Sequence, residues 1–272
     1  MKLMRRKERP VRRRFLRIGF AAIGAAMVGA CDRITRNETV VDAIKGVQHL
    51  NRAAHQLIAG RHAMAKEFTE ADISPNFRAN GTTEPNSKRY RELTEKQFSD
   101  WSLQVGVLVE RPMQFSLSEL RAMPARTQIT RHDCVEGWSA IGQWTGVPLH
   151  QILALVKPTA EAQYVVFRCF DPMGKEDEDD MSGAANAVDS TYYESIDIEE
   201  AMHAQTILAY DLNGKALPIG NGAPLRLRVE RQLGYKQAKY LMKVELVSDF
   251  DKLRGGKGGY WEDEGYEWYA GI

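Results

Sequence analysis

Six segments of strand character lie between residues 101 and 247, and most are separated by intervals too long for a tight turn. They are Trp101–Val109, Thr127–His132, Tyr164–Phe170, Thr206–Tyr210, Leu225–Val229 and Leu241–Val247, each rich in β-branched or aromatic residues. Strands spaced in this way pair mostly with partners distant in sequence. Short helical stretches fill some intervals: Ser116–Met123, where Ser116 and Glu119 have the spacing of a capping box, and Pro148–Val156. Asn213-Gly214 is a hairpin-turn signal. The expected class is α+β, mostly mixed β-sheet with short helices, without internal repeats.

An N-terminal helix is expected to precede this domain. Val40, Val41, Ile44, Val47, Leu50, Ala54, Leu57 and Ile58 recur at three- and four-residue spacing, which predicts a helical segment over 37–71. Its apolar face suits packing on the domain or docking to a membrane partner. Residues 72–91, rich in Asn, Pro, Gly and Thr, are expected to form an irregular loop.

The first thirty residues have a different character. Nine Lys and Arg and one Glu fall in residues 1–30 of a chain whose net charge is +1, so the remainder is net acidic. An acidic domain repels phosphate backbones, and no nucleic-acid partner is expected. Arg12-Arg13-Arg14-Phe15-Leu16-Arg17 followed by uncharged Ile18–Ala30 resembles a twin-arginine export signal over 1–30, the route for proteins folded before export. The location implied is periplasmic. Val28-Gly29-Ala30-Cys31 also resembles a lipobox, with Asp32 resembling an inner-membrane retention signal. Cleavage after Ala30 and lipid attachment to Cys31 are both open readings. One lipid anchors only marginally, so membrane association would need a second contact. No segment after residue 31 is apolar for long enough to span a bilayer.

The chain has three cysteines, Cys31, Cys134 and Cys169, and no CxxC pair. Zinc-ribbon, thioredoxin and c-type haem chemistry therefore lack their motifs. Cys134 ends a strand and opens a Gly/Trp-rich turn, Cys134-Val135-Glu136-Gly137-Trp138. Arg131 nearby would favour the thiolate, which serves as a nucleophile or as a soft metal ligand. From the residues alone, a buried structural cysteine and a Cys/His hydrolase using His132, His150 or His203 are further readings.

The sequence Cys134-Val135-Glu136-Gly137-Trp138-Ser139, followed by Trp144-Thr145-Gly146-Val147-Pro148-Leu149, resembles the metal-ligand segment of the sulfite-oxidase superfamily of molybdopterin-dependent oxidoreductases. Its nearest likeness is to the bacterial periplasmic branch that reduces methionine sulfoxide in proteins. Gln205–Tyr210, Asn221–Leu227, Gly234–Lys239 and Gly265–Ile272 match in the same order, so the likeness runs from about residue 74 to the end. It implies an oxidoreductase domain over 72–272, carrying one molybdenum-molybdopterin per chain. Cys134 then falls on the molybdenum ligand. Asn76, Ala79 and Asn80 fall on a pterin-contacting loop, and Cys169 falls where relatives often have Thr. Asn221 and Arg226 fall on cofactor contacts, and Gln237, Ala238 and Lys239 on the loop that holds the cofactor phosphate.

The reaction implied is oxygen-atom transfer at sulfur. No haem or flavin motif occurs, so electrons are expected from a separate haem-containing redox partner, a membrane haem subunit or a cytochrome c. The acidic run Lys175–Asp180 suits steering of a basic cytochrome or a solvated loop, and Gly255–Gly259 reads as a mobile loop near the site mouth. Reduction of S-oxides is the leading activity and sulfite oxidation the alternative. Sulfite would need converging arginines, for which Arg78, Arg131 and Arg168 are available. A neutral sulfoxide needs an apolar wall, for which Trp138, Trp144 and Tyr193 are available unless they are core. A non-catalytic exported binding protein on the same fold is the reading from another class.

Overall fold

In a computed structural model of the chain, the residues described are 50, 52–54, 57, 60, 62–173 and 191–272. The export signal, Cys31 and the acidic run 175–180 lie outside them. The chain divides into two units, Met1–Ala59 and Gly60–Ile272. In the first, residues 50, 52–54 and 57 are helical, and the rest of the predicted helix lies outside the described residues. In the second, the helical segment predicted to reach residue 71 is corrected: residues 63–69 are not helical. The Phe68 N–H donates to the Ile129 carbonyl at 2.8 Å, and the Gln205 side-chain amide bonds both the N–H and the carbonyl of Ala65. Sheet-edge and side-chain partners thus take the backbone groups a helix would have used. No helix among the described residues is long and apolar enough to cross a membrane.

The second unit is built on two five-stranded sheets. In the first, β2 (Met113–Ser116), β1 (Ser102–Val107), β10 (Leu241–Val247), β5 (Tyr164–Pro172) and β6 (Thr191–Asp197) lie in that order. The β1–β10 pair is parallel and the others antiparallel, so the sheet is mixed. In the second, β3 (Arg126–Asp133), β4 (Ser139–Pro148), β7 (Ile207–Leu212) and β8 (Lys215–Ala216) are antiparallel, and β9 (Arg226–Arg228) pairs with β7. Among the described residues, five short α-helical segments connect them: α1 (Lys88–Glu95), α2 (Leu117–Ala122), α3 (Leu149–Val156), α4 (Ile198–Ala201) and α5 (Tyr260–Asp263).

Local chemistry accounts for these elements. Leu103 and Val105 alternate inward from β1, and the cluster they join includes Phe167, Leu208, Leu227 and Val244 from both sheets. Central strand β5 is covered on both faces, with Phe167 in this cluster and Val166 against Tyr193 and Leu253, which explains its continuous apolar run. In α3, Leu149, Ile152, Leu153 and Val156 form one buried stripe at helical spacing. The Ser116–Glu119 capping box forms as predicted, and Asn213-Gly214 makes the β7–β8 turn. The loop predicted over 72–91 gives way to α1 at Lys88, where the Ser87 hydroxyl accepts the Tyr90 N–H at 3.1 Å.

The β4–β7 contact positions the site, because β4 leads back to the hairpin that carries Cys134. At Gly146, beside a register shift in this pairing, an added Cβ would lie 2.1 Å from the Leu208 carbonyl oxygen. No side chain fits between two backbones that close. Gly146→Ala is therefore predicted to destabilise the protein by about 3 kcal/mol. Urea unfolding would show a lower midpoint at unchanged slope. An unchanged midpoint would contradict this packing.

Candidate active site

Cys134 lies in the five-residue connection between β3 and β4, whose last rungs pair Asp133 with Ser139. Its N–H donates to the Trp138 carbonyl at 3.0 Å and its carbonyl accepts the Gly137 N–H at 3.0 Å, which fixes the thiol at the head of the hairpin. The side chain of Asn80 donates to Sγ at 3.5 Å. Arg131 does not attend the thiol as expected. Its Nε donates to the Asp133 carboxylate at 2.9 Å, and its side chain is 55% exposed.

The thiol opens into a cleft. Asn80, Arg226, Gln237, Ala238 and Lys239 line it together with Cys134. Four other predicted contacts lie elsewhere. Asn76 is exposed, and Ala79 packs beside Gly220. Asn221 is buried behind Arg226, to whose Nη1 its carbonyl is bonded at 2.9 Å. Cys169 is fully buried in the main core, where burial first and the Asp171 and Glu194 charges next hold its thiol well above the ordinary range.

The cations are held by the fold itself. Arg228 is fully buried and bonded to Glu230 through Nε at 2.9 Å, while its Nη1 donates to His132 Nδ1 at 3.0 Å. An arginine can only donate, so His132 accepts at Nδ1 and carries its proton on Nε2. Burial first, then Arg228 and Arg226, push the imidazole well below its usual range and keep it neutral. Gly234 packs on that ring, since a Cβ there would lie 2.5 Å from Nε2. The Trp144 ring lies under both guanidiniums, 5.0 Å from Arg226 and 4.4 Å from Arg228. No histidine lines the cleft among the described residues, so the Cys/His hydrolase reading lacks a base.

Arg226 donates to the carbonyls of Asn221 and Gln237. Burial, then Arg228, lowers it to about 9, so it stays charged at neutral pH. Lys239 Nζ donates to the carbonyls of Asn80, Thr82 and Gly220, tying the Asn80–Thr82 loop to the Gly220 turn. Burial, then Arg226, brings Lys239 down to about 8.

The apolar wall differs from the one expected. Trp144 and Tyr193 are core residues, and Trp138 donates to Glu136 at 2.8 Å without lining the cleft. The wall consists instead of Val135, Met173, Tyr192, Tyr235, Trp261 and Tyr266. The Gly255–Gly259 segment is tied down: the N–H groups of Gly255 and Lys257 donate to Asp263, and the Gly258 carbonyl accepts from Ser195. Sequence patterning also missed Asp171, at the end of β5, which lines the cleft at 5% exposure.

Asp171 Oδ1 has no hydrogen-bond partner, and neither do two buried donors, Nε of the cleft-lining Arg226 and Nδ2 of Asn221 behind it. Buried polar groups are rarely left unpaired, and these are complementary to a ligand with both acceptors and donors. An anionic phosphate linked to a donor-bearing heterocycle is such a ligand, and a thiol at the cleft suits a soft metal. The residues present therefore fit a molybdopterin cofactor.

The comparisons agree. The family described as "Oxidoreductase molybdopterin binding domain" matches residues 91–252. The chain belongs to this family of molybdopterin-dependent oxidoreductases, and its cofactor is of the molybdenum-molybdopterin class. It is 34% identical to a protein of Azospira oryzae named as a protein-methionine-sulfoxide reductase subunit, YedZ1, over 97% of this chain and 89% of that one. It is 40% identical to the protein-methionine-sulfoxide reductase catalytic subunit MsrP of Xanthomonas axonopodis, over 63% of this chain and 52% of that one, so the match spans about half of the relative. Among solved structures, the sulfane dehydrogenase SoxCD of Paracoccus pantotrophus is similar with a TM-score of 0.45 and 22% identity, over 55% of this chain and 39% of that one.

Asp171 also predicts a pH dependence. Burial, opposed by Lys239 and the Thr82 side chain, raises its carboxyl from 3.8 to about 7. Cys169, Tyr90, Tyr192 and Tyr240 are the other titratable groups within its electrostatic reach. The unfolded chain loses this proton near 3.8 and the folded chain near 7, so folding holds the extra proton between them. This contribution therefore lowers stability as pH rises through that window and is constant above it, by up to about 4 kcal/mol in all. Cofactor-free Asp171→Asn is predicted to gain on the wild type from pH 4 to 7 in urea unfolding and to keep a constant advantage above. Parallel stability curves for the two proteins would contradict this.

Proposed function

We propose that the protein is an exported molybdenum-molybdopterin enzyme that reduces S-oxides, including methionine sulfoxide in proteins, with one cofactor per chain. The observation that carries the substrate assignment is the cleft wall. Val135, Met173, Tyr192, Tyr235, Trp261 and Tyr266 offer apolar and aromatic surface, and the rim contributes the acidic Glu136. A methyl sulfoxide is neutral and suits such a wall. Sulfite is a dianion that Glu136 would repel. The arginines available to bind it are engaged elsewhere: Arg78 lies 3.8 Å from Glu136, Arg131 pairs with Asp133, and Arg168 pairs with Glu245.

When bound, the cofactor supplies two-electron oxygen-atom transfer, chemistry that side chains alone do not perform. Cys134 is the metal's protein ligand, and Asn80 steadies its sulfur with an N–H. Arg226 and the Gln237–Lys239 loop present positive charge to the cofactor phosphate. Lys239 contributes field strength and loop order, since its N–H groups already serve three carbonyls. Asn76, Ala79, Cys169 and Asn221 act from the margin, through the loops and backbone they shape. The aromatic wall orients the substrate and limits water.

Reduction of an S-oxide to a sulfide and water consumes two electrons and two protons. The electrons come from a separate haem-containing partner, either a membrane haem subunit or a cytochrome c. Support for export to the periplasm comes from Arg12–Arg17 and the uncharged run after it, and Cys31 is the candidate lipid attachment point. A binding protein without catalysis would have no use for a thiol at the head of the cleft.

Protein made in a host that synthesises molybdopterin, supplied with electrons by a reduced dye, is predicted to turn over methionine sulfoxide with a higher kcat/KM than it shows for sulfite in the oxidising direction. The opposite ranking would overturn the substrate assignment. Cys134→Ser is predicted to lose turnover while keeping the wild-type far-ultraviolet circular dichroism. Wild-type rates in a metal-loaded Cys134→Ser protein would contradict the ligand assignment.

A further inference from the structure

The donors and acceptors of the cleft are unevenly matched to an anionic ligand. Arg226 Nε is an unpartnered donor and suits a phosphate. Asp171 does not. It is 5% exposed, it lines the same cleft as Cys134, and its Oδ1 lacks a partner. The other carboxylate at the cleft, Glu136, is 52% exposed on the rim. Among the described residues, Asp171 is therefore the buried carboxylate of the cleft lining, and its unpartnered oxygen suits a ligand N–H.

Each part of the cofactor can be tested against that requirement. The phosphate carries acceptors and negative charge, and it would repel the carboxylate. The dithiolene sulfurs and the metal have no N–H to give. The reduced pterin carries ring N–H groups and an exocyclic amine, all donors. We propose that Asp171 is a cofactor-recognition residue whose free carboxylate oxygen accepts an N–H of the pterin heterocycle. The proposal rests on the molybdopterin reading and assigns a contact outside the cysteine, asparagine, arginine and lysine positions of the family motifs. It also accounts for a buried carboxylate that would otherwise only destabilise the fold. The Asn80–Thr82 loop, whose residues line the same cleft, is held in place because Lys239 and Tyr240 both donate to the Thr82 carbonyl.

The test compares wild type, Asp171→Asn and Asp171→Leu, each purified with and without molybdopterin synthesis in the host. The readouts are molybdenum and released pterin per chain, the rate of pterin loss on dilution, and the melting temperature. The proposal predicts that Asp171→Leu holds at least tenfold less pterin than wild type and shows no cofactor-dependent rise in melting temperature. Its cofactor-free form should melt no lower than cofactor-free wild type, because an unpaired carboxylate has been removed. Asp171→Asn retains an acceptor oxygen and should restore most of the pterin content. A purely structural role would instead lower the melting temperature of the cofactor-free Leu variant. That result, or wild-type pterin content and release in Asp171→Leu, would overturn the proposal and leave the molybdopterin reading standing. Absence of molybdenum and pterin from the wild type would overturn both.

Discussion

Buried positive charge is the constraint around which this domain is organised. Arg228 and Arg226 are buried and Lys239 is partly so, and the charge of Arg228 depresses Arg226 as that of Arg226 depresses Lys239. An isolated buried cation costs several kcal/mol, so each must be matched. Arg228 is matched by Glu230, Arg226 by two carbonyls and the face of Trp144, and Lys239 by three carbonyls. The residues doing the matching come from β4, the turn after β9 and the loops around Asn80, Gly220 and Gln237. The charge cluster therefore draws together segments distant in sequence and sets them around one cleft. The field that remains favours an anionic group on the ligand.

The two sheets divide the work of building that cleft. The second sheet supplies the β3–β4 hairpin and its thiol, and the first supplies Asp171 and Tyr192 from the ends of β5 and β6. The C-terminal segment closes the rim with Trp261 and Tyr266. A buried triad anchors it: Lys236 lies between Glu194 of β6 and Glu262 of α5, fully buried and paired with both. Burial and the Glu262 charge, against Lys236, hold Glu194 well above the usual carboxylate range, so the two acids need not both be ionised beside one lysine. Rim, floor and hairpin are thus fixed by interactions inside the domain.

Much of this was legible in the residues. β10 occupies Leu241–Val247 as its apolar alternation indicated, and the Ser116 cap and Asn213-Gly214 turn are local chemistry that needs no tertiary knowledge. The family motifs brought Cys134, Asn80, Arg226, Gln237, Ala238 and Lys239 to one cleft. Strand β4 escaped notice because Gly142 and Gly146 interrupt its pattern, and those glycines are there for close packing rather than for a turn. β6 escaped because it buries Glu194 and Ser195, which read as solvent-facing until Lys236 and the Gly258 carbonyl are seen beside them. Aromatic identity could not separate the core residues Trp144 and Tyr193 from the wall residues Tyr235 and Trp261, since only the fold decides which way a ring faces. Asp171 carried no motif, and its significance comes from what surrounds it.

The central claim is that Cys134 places its sulfur on molybdenum within this cleft. X-ray absorption at the molybdenum edge on the isolated, cofactor-loaded protein tests it most directly. The account predicts that Cys134→Ser loses one sulfur neighbour of the metal relative to wild type and keeps the two contributed by the pterin dithiolene. An unchanged sulfur count in that variant would contradict it.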